Sequence, residues 1–282
     1  MWGVVVLGLA AAVIYGVSDY LGGWAARGLP SSQVSAIAFA AGLPVAALAV
    51  AAIGATWGAG VVCFGVLAGA AAASSIWLLY ACLAIGPVGV LAPLVAVLAS
   101  LVPVVYGLAV GHEHLGLPGM VSLAVVIASA AALSLEADPT AGRLTPRALG
   151  LGVAAGLATG AYLVALSATP ASSGAGPVVV IFATGTLFLT AVRRLVRVVT
   201  PGGASRPDNA RQVNAPSRWA KPAALISGAT QATADVLAVV GIHAGHLAVM
   251  AALVVVTGER PHRRQLAAIA VALAASAVLA TN

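Results

Sequence analysis

The chain has 282 residues, of which 61% are hydrophobic and only 7% are charged, and its formal net charge is +6. A soluble domain carries roughly 25% charged residues, so a soluble fold of this size would expose large apolar patches to water. The composition therefore excludes a soluble enzyme, a nucleic-acid-binding domain and a disordered chain, and it favours a polytopic membrane protein.

Small residues decide between the two architectures that can cross a membrane. The chain contains 32 glycines, whereas aromatic residues make up only 5% of it. Glycine and alanine let membrane helices approach closely, and the sequence does not alternate polar and apolar residues as barrel strands do. The sequence therefore predicts an all-α integral membrane protein.

A helix needs about 20 apolar residues to cross the hydrocarbon core of a bilayer. This criterion predicts ten spans, in chain order roughly at residues 3–25, 33–54, 61–83, 88–110, 117–135, 148–168, 177–198, 222–242, 245–257 and 265–280. The apolar stretch of the first span is too long for a signal-peptide core, so we expect this span to be retained. Residues 199–221 are rich in proline, glycine and arginine and predict a flexible linker.

The first and sixth spans open with the same pattern of small residues. The pattern comprises Gly8, Ala12 and Gly16 in the first span, and Gly152, Gly156 and Gly160 in the sixth. Residues four apart share a helix face, so these glycines predict close helix packing. The two sets lie 144 positions apart, and a glutamate precedes the last span of each half, at Glu113 and Glu259. Residues 1–140 and 141–282 are therefore predicted to be two five-helix repeats of inverted orientation.

Several short motifs follow one another along the chain: Ala12-Val13-Ile14-Tyr15-Gly16, Tyr80-Ala81-Cys82-Leu83-Ala84-Ile85-Gly86-Pro87, Ser100-Leu101-Val102-Pro103, the Gly-x-Glu ending at Glu113, and Gly258-Glu259-Arg260. In order and spacing they resemble the EamA-like, ten-helix branch of the drug/metabolite transporter superfamily. The resemblance covers nearly the whole chain. It implies a multi-pass protein of the plasma membrane, a secondary transporter that exports a small metabolite or drug-like compound through a cavity between its halves.

The chain departs from this pattern in its ninth predicted helix. The interval from Ile85 to Glu113 is 28 positions, but the corresponding interval from Ile242 to Glu259 is only 17. The missing residues correspond to about 16 Å of helix, so helix nine reaches only about 20 Å across a core about 30 Å thick. The alternative hypothesis is therefore a degenerate or non-transporting membrane scaffold protein.

The basic residues bear on the orientation of the protein in the membrane. All 13 Lys and Arg residues fall on one side of the predicted bundle. The positive-inside rule makes that side cytoplasmic and places both termini outside the cell. The family resemblance implies the opposite, with both termini in the cytoplasm, so the sequence leaves the orientation open.

Two carboxylates lie inside predicted spans, where ionisable groups are costly. Asp19 lies about four turns into the first span, and Asp235 lies in the eighth, one turn after Gln231. One interpretation is a proton or cation site, because a carboxyl group in an apolar setting can exchange a proton as its surroundings change. The other interpretation is a hydrogen-bonded contact between helices, or a carboxylate near enough to the interface to stay hydrated.

Four aromatic residues complete the candidate site. Tyr15 and Tyr162 are expected to line the same cavity as Gln231, all three as hydrogen-bonding groups. Trp77 lies inside the third span beside Tyr80. For Trp77, the alternatives are ordinary helix packing and a wall of the cavity.

No motif indicates an enzyme or a cofactor. His112-Glu113-His114 and His243-x-x-His246 lack the spacing of a metalloprotease helix, and both lie at span ends, where polar residues are expected. The chain has no phosphate loop, dinucleotide fingerprint or nucleophile elbow. The expected partners are a small-molecule substrate, a proton or cation, and membrane lipid, with no metal, cofactor or nucleic acid.

Overall fold

A computed structural model describes residues 2–110, 144–199 and 217–243. In these residues the chain forms α1 (Trp2–Ala25), α2 (Ser31–Ile53), α3 (Ala59–Ile85), α4 (Val88–Ala109), α5 (Pro146–Ser167), α6 (Gly176–Val199) and α7 (Ser217–His243). One 3-10 turn separates α5 from α6, and these three ranges contain no strand. Six of these helices, α2 to α7, are long and apolar enough to cross a membrane. The prediction of an all-α chain with several membrane spans is confirmed at this level.

Part of the predicted architecture lies outside the described residues. This part comprises the fifth, ninth and tenth spans, including the shortened helix, and most of the predicted linker. Helix α7 begins at Ser217, so residues 217–221 are helical rather than part of the linker. The difference arises because hydropathy detects only the apolar part of a membrane helix. The helix itself begins earlier and includes the charged residues Arg218 and Lys221.

Proline, glycine and threonine set the helix boundaries that position the bundle. Helix α2 ends at Gly54, whose φ of 79° lies in the left-handed region that glycine adopts without strain. The pair Gly86-Pro87 separates α3 from α4, because proline disfavours helical backbone in the residue before it. At the start of α5, the Thr145 hydroxyl accepts a hydrogen bond from the Ala148 N–H at 3.1 Å.

The loops after α2 and α5 meet at one end of the bundle, here named the bridged end. Ala55 and Gly174 form an isolated antiparallel bridge, and the Ala175 N–H donates to the Gly54 carbonyl at 3.0 Å. The Thr56 hydroxyl donates to the Ser172 carbonyl at 2.6 Å. This short network joins the α2–α3 loop directly to the α5–α6 loop.

The opposite end, here named the basic end, contains the start of α5 and the end of α3. A Cβ at Gly86 would lie 3.0 Å from the Cβ of Ala148, so these two helix ends are in contact. The described basic residues that lie here are Arg27, Arg147, Arg193, Arg194, Arg218 and Lys221. Consecutive described helices therefore run in opposite directions, except that α4 and α5 both begin at the basic end and run in the same direction. The described positive charge gathers at one end, as the sequence predicted.

The principal helix pairs join segments that are far apart in the chain. Helix α1 packs on α7, α2 packs on α6 and α7, α3 packs on α5 and α6, and α4 packs on α5. Glycines allow these helices to approach closely. A Cβ at Gly156 of α5, for example, would lie 2.6 Å from the Cβ of Leu98 in α4.

Helices α2 and α6 make a reciprocal contact. Phe39 of α2 covers Gly185 of α6, and Phe182 of α6 covers Gly42 of α2, so that a Cβ on either glycine would overlap the opposing ring. The two rings lie 5.2 Å apart between centroids at an interplanar angle of 40°. Both phenylalanines are buried, and the pair therefore fills the space that the two glycines leave.

Gly228 of α7 is the site of a sharper test of helix packing. A Cβ there would overlap the backbone carbonyl of Ala38 in α2, and backbone cannot rotate aside as a flexible side chain can. We expect Gly228→Ala to lower the free energy of unfolding by roughly 1–3 kcal/mol. Thermal unfolding in detergent micelles measures the change.

Gly150→Ala in α5 is the matched control for this variant. A Cβ at Gly150 would meet no heavy atom within 4 Å, so we expect its stability to be unchanged or slightly raised. Equal stability of the two variants would contradict the close approach of α2 and α7.

Candidate functional site

The candidate site is centred on Asp235 of α7. Its side chain is buried, with 2% of its surface exposed. Tyr15 of α1 and Tyr162 of α5 both donate hydrogen bonds to the same carboxylate oxygen, Oδ1, and the Tyr162 bond is 2.7 Å long. Both tyrosines are buried themselves. One carboxylate oxygen therefore joins three helices that are distant in the chain.

Helix periodicity places the polar groups of α1 and α7 opposite one another. The groups are Tyr15, Ser18 and Asp19 on α1, and Ser227, Gln231 and Asp235 on α7. In α1, Ser18 and Asp19 follow Tyr15 by three and four residues, and in α7 the spacing is four residues, which puts each set on one face. Because α1 packs along α7, the two sets form one polar stripe through an otherwise apolar interface.

Ser18 and Ser227 tie the two helices together by reciprocal bonds. The Ser18 Oγ lies 2.8 Å from the Ser227 carbonyl oxygen and 3.0 Å from the Gln231 Oε1, and the Ser227 Oγ donates to the Ser18 carbonyl at 2.9 Å. The Tyr80 hydroxyl of α3 lies 2.9 Å from the Ser227 Oγ. Since the Ser227 proton is directed at Ser18, Tyr80 is the donor in this bond. These buried polar groups therefore satisfy one another.

Tyr80 reaches the stripe because α1 has no side chain at Gly22. A Cβ at Gly22 would overlap the phenol ring of Tyr80. The tyrosine itself is fully buried, and its hydroxyl has Ser227 as its partner. A glycine on α1 thus lets an aromatic residue of α3 contact α7.

Asp19 has different surroundings from Asp235. It is partly exposed, and it forms no hydrogen bond with another described residue. Its carboxyl group lies near that of Asp235 and near the phenol of Tyr80. The interface therefore contains two carboxylates in different settings. Asp235 is enclosed and accepts two hydrogen bonds, whereas Asp19 is more accessible and accepts none from the described residues.

The described helices bring no cation to either carboxylate. The described basic side chains lie at the basic end, and the groups that act on Asp19 and Asp235 include no lysine or arginine of the described residues. Among the described residues, the hydrogen-bond donors to Asp235 are therefore the two phenol hydroxyls. Hydrogen bonds to an ionised acceptor are roughly twice as strong as neutral ones, which makes the two tyrosines the principal stabilising contacts.

Most of the predicted site residues meet in this cluster. The residues brought together are Tyr15, Asp19, Tyr80, Tyr162, Gln231 and Asp235. Trp77 is partly buried and packs against the core that contains Tyr15, Tyr80 and Tyr162, and it forms no hydrogen bond with the described residues. Ser18 and Ser227 were not predicted, although Ser227 lies one turn before Gln231 and Ser18 adjoins Asp19.

The glycines predicted to mediate packing lie in α1 and α5. In α5, Gly152, Gly156 and Gly160 face α4, where they lie against Leu91, Leu98 and Val102 in turn. Gly8 and Gly16 belong to α1. The close packing of α4 on α5 thus follows a stripe of small residues.

Within the three described ranges, no group of three His, Cys, Asp or Glu residues is arranged to hold a metal ion. His112, Glu113, His114, His246 and Glu259 lie outside those ranges.

No known protein family and no curated protein matches the chain. Among solved structures, nine chains are similar to it. One of them, a crystallised protein, is 18% identical with a TM-score of 0.57, over 98% of this chain and 95% of its own. At this identity the similarity concerns the fold alone. The fold and the site together define a multi-pass helical protein with a buried polar cluster between its helices.

The contribution of the tyrosine hydrogen bonds to the stability of the fold can be measured directly. Tyr162→Phe removes one donor from a buried carboxylate, so we expect the free energy of unfolding to fall by about 1–3 kcal/mol. Tyr20→Phe in α1 is the matched control, because the Tyr20 side chain is 69% exposed and we expect no loss. Thermal unfolding in micelles compares the two, and equal losses would argue against a structural role for the Tyr162 bond.

Proposed function

We propose that the chain is a secondary transporter of the EamA-like type that exports a small metabolite or drug-like compound across the plasma membrane. The observation that carries the proposal is the cluster around Asp235, a carboxylate buried between apolar helices with tyrosine donors from two others. Ionisable residues inside membrane bundles are costly, and they mark substrate and ion pathways. The cluster therefore supports transport coupled to a proton or cation.

Two inverted halves of five helices, residues 1–140 and 141–282, form part of the proposal. In this arrangement α5, α6 and α7 are the counterparts of α1, α2 and α3. The contact of α1 with α7 then corresponds to that of α5 with α3, and the contact of α2 with α7 to that of α6 with α3. Each of these helix pairs has a counterpart when the halves are exchanged, which supports the repeat.

Exchanging the two proposed halves replaces α2 by α6 and α6 by α2. The contact between these two helices should therefore be symmetric. Phe39-Ala40-Ala41-Gly42 and Phe182-Ala183-Thr184-Gly185 share the pattern Phe-Ala-x-Gly at a separation of 143 positions. Each phenylalanine covers the glycine of the other motif. Reciprocal contacts between equivalent residues are what a two-fold axis generates. The pair therefore supports a pseudo-two-fold axis between α2 and α6.

A second candidate function is a membrane scaffold that does not transport. The observation that favours it is the interval of 17 positions between Ile242 and Glu259, against 28 in the first half. A helix too short for the bilayer would leave the second half incomplete. The two candidate functions differ in whether the protein moves a solute at all.

A flux experiment separates the two functions. Comparing the metabolites excreted by cells with and without the protein identifies a substrate, and its flux is then measured in proteoliposomes with and without a pH gradient. We expect flux through the parent to depend on the gradient. Asp235→Asn keeps the size of the side chain but removes the titratable group, so its flux should lose that dependence. Equal flux for both proteins in all conditions would contradict proton coupling and favour the scaffold.

We further propose that the basic end faces the cytoplasm, following the positive-inside rule. In a chain with Cys63→Ser and Cys82→Ala, single cysteines are placed at the bridged end (Gly58→Cys) and at the basic end (Lys221→Cys). Both positions are exposed. A membrane-impermeant maleimide added to intact cells should label the first cysteine and spare the second. The reverse pattern would establish the orientation that the family resemblance implies.

A further inference from the structure

We propose that the coupling ion is a proton, that it binds to Oδ2 of Asp235, and that its arrival loosens the bonds by which Tyr15 of α1 and Tyr162 of α5 hold α7. The inference rests on the proposed function for the identity of the site. It goes further in naming the ion, the atom that receives it and the contact that responds.

The two oxygens of Asp235 are not equivalent. Tyr15 and Tyr162 both donate to Oδ1, which leaves Oδ2 without a donor from the described residues. A proton added to Oδ1 would displace a phenol hydrogen bond, whereas a proton added to Oδ2 displaces none. Oδ2 is therefore the basic atom of the site.

The geometry favours a proton over a metal cation. Hard metal cations take about six or more oxygen ligands, and the phenol protons here point at the oxygen that would have to coordinate the metal. Asp235 is only 2% exposed, so little room remains for water ligands beside it. A proton needs one acceptor and no coordination shell, and Oδ2 supplies that acceptor.

Within the described ranges, the titratable groups around Asp235 are acids and phenols. Tyr15 and Asp19 face it from α1, and Tyr162 faces it from α5, while Tyr80 of α3 lies beside Asp19. Helix α2 contains no titratable residue. Asp19 is the more accessible carboxyl group and lies one turn from Tyr15, so it offers the route by which a proton from water reaches Oδ2.

Proton binding changes the strength of the contacts rather than their number. Oδ1 of the carboxylate accepts two charge-assisted bonds, and in the carboxylic acid both become neutral bonds of about half the strength. Tyr15 is the residue through which α1 holds Asp235, so its contact with α7 weakens. When the proton leaves to the opposite side, the carboxylate is restored and both phenol bonds regain their strength.

The Ser18–Ser227 pair would act as a pivot for this motion. It is formed by hydroxyl and carbonyl groups, none of which titrates, and it lies eight positions from Asp235 along α7, or about 12 Å. Weakening the Tyr15 contact while this pair persists frees the part of α1 towards the bridged end. The expected response is a displacement of that part of α1 relative to α5.

Electron–electron distance measurements test the proposal without substrate. Spin labels are attached to single cysteines at Val13 of α1 and Leu157 of α5, both exposed, in the full chain with Cys63→Ser and Cys82→Ala. We expect the parent to change its distance distribution between alkaline and acidic pH. Asp235→Asn should show the acidic distribution at both, because it cannot be ionised.

Two further variants keep the measurement decisive. Tyr15→Phe, which retains the carboxylate, should shift the distribution towards the acidic one at alkaline pH, whereas Tyr20→Phe on the same helix should behave as the parent. An unaltered pH response in Asp235→Asn or in Tyr15→Phe would overturn the proposal, as would a shift driven by sodium at constant pH. If the parent responds to pH but moves no solute, the proton site stands and the transport function fails.

Discussion

The structure depends on the need to satisfy a carboxylate in an apolar helical bundle. Asp235 is buried, and no lysine or arginine of the described helices reaches it. Two phenol hydroxyls take the place of a cation, and they come from α1 and α5. A buried charged group without partners is strongly destabilising, so this contact fixes how α1, α5 and α7 are arranged.

Close backbone approach is the second requirement, because short polar side chains meet only when their helices nearly touch. Ser18 and Ser227 exchange bonds with each other's backbone, which places α1 and α7 in direct contact. Gly228 allows α7 to approach α2 in the same way, and Gly22 admits Tyr80. In a membrane, where the hydrophobic effect does not drive helices together, such packing and hydrogen bonding supply the association energy.

The two halves that we propose are alike in packing and unlike in chemistry. The contact of α3 with α5 corresponds to that of α1 with α7, yet its described polar bond joins only the hydroxyls of Ser75 and Thr159. The carboxylates of the candidate site all lie on the α1–α7 side. Such a fold suits the proposed coupling of proton binding to transport. A change of charge at the α1–α7 interface alters the packing there, while the corresponding α3–α5 interface stays the same.

Composition and local spacing determined the class of protein and much of its secondary structure. Hydropathy over about 20 residues predicts spans, and Gly86-Pro87 predicts a boundary, because both effects act within a few turns of helix. Periodicity also placed Gln231 and Asp235 on one face. The tertiary structure alone decided that Ser18 meets Ser227, 209 positions away, and that Tyr15 and Tyr162 share one oxygen. These outcomes depend on which helix faces pack together, and that choice is made between segments too distant in the chain for local patterns to specify.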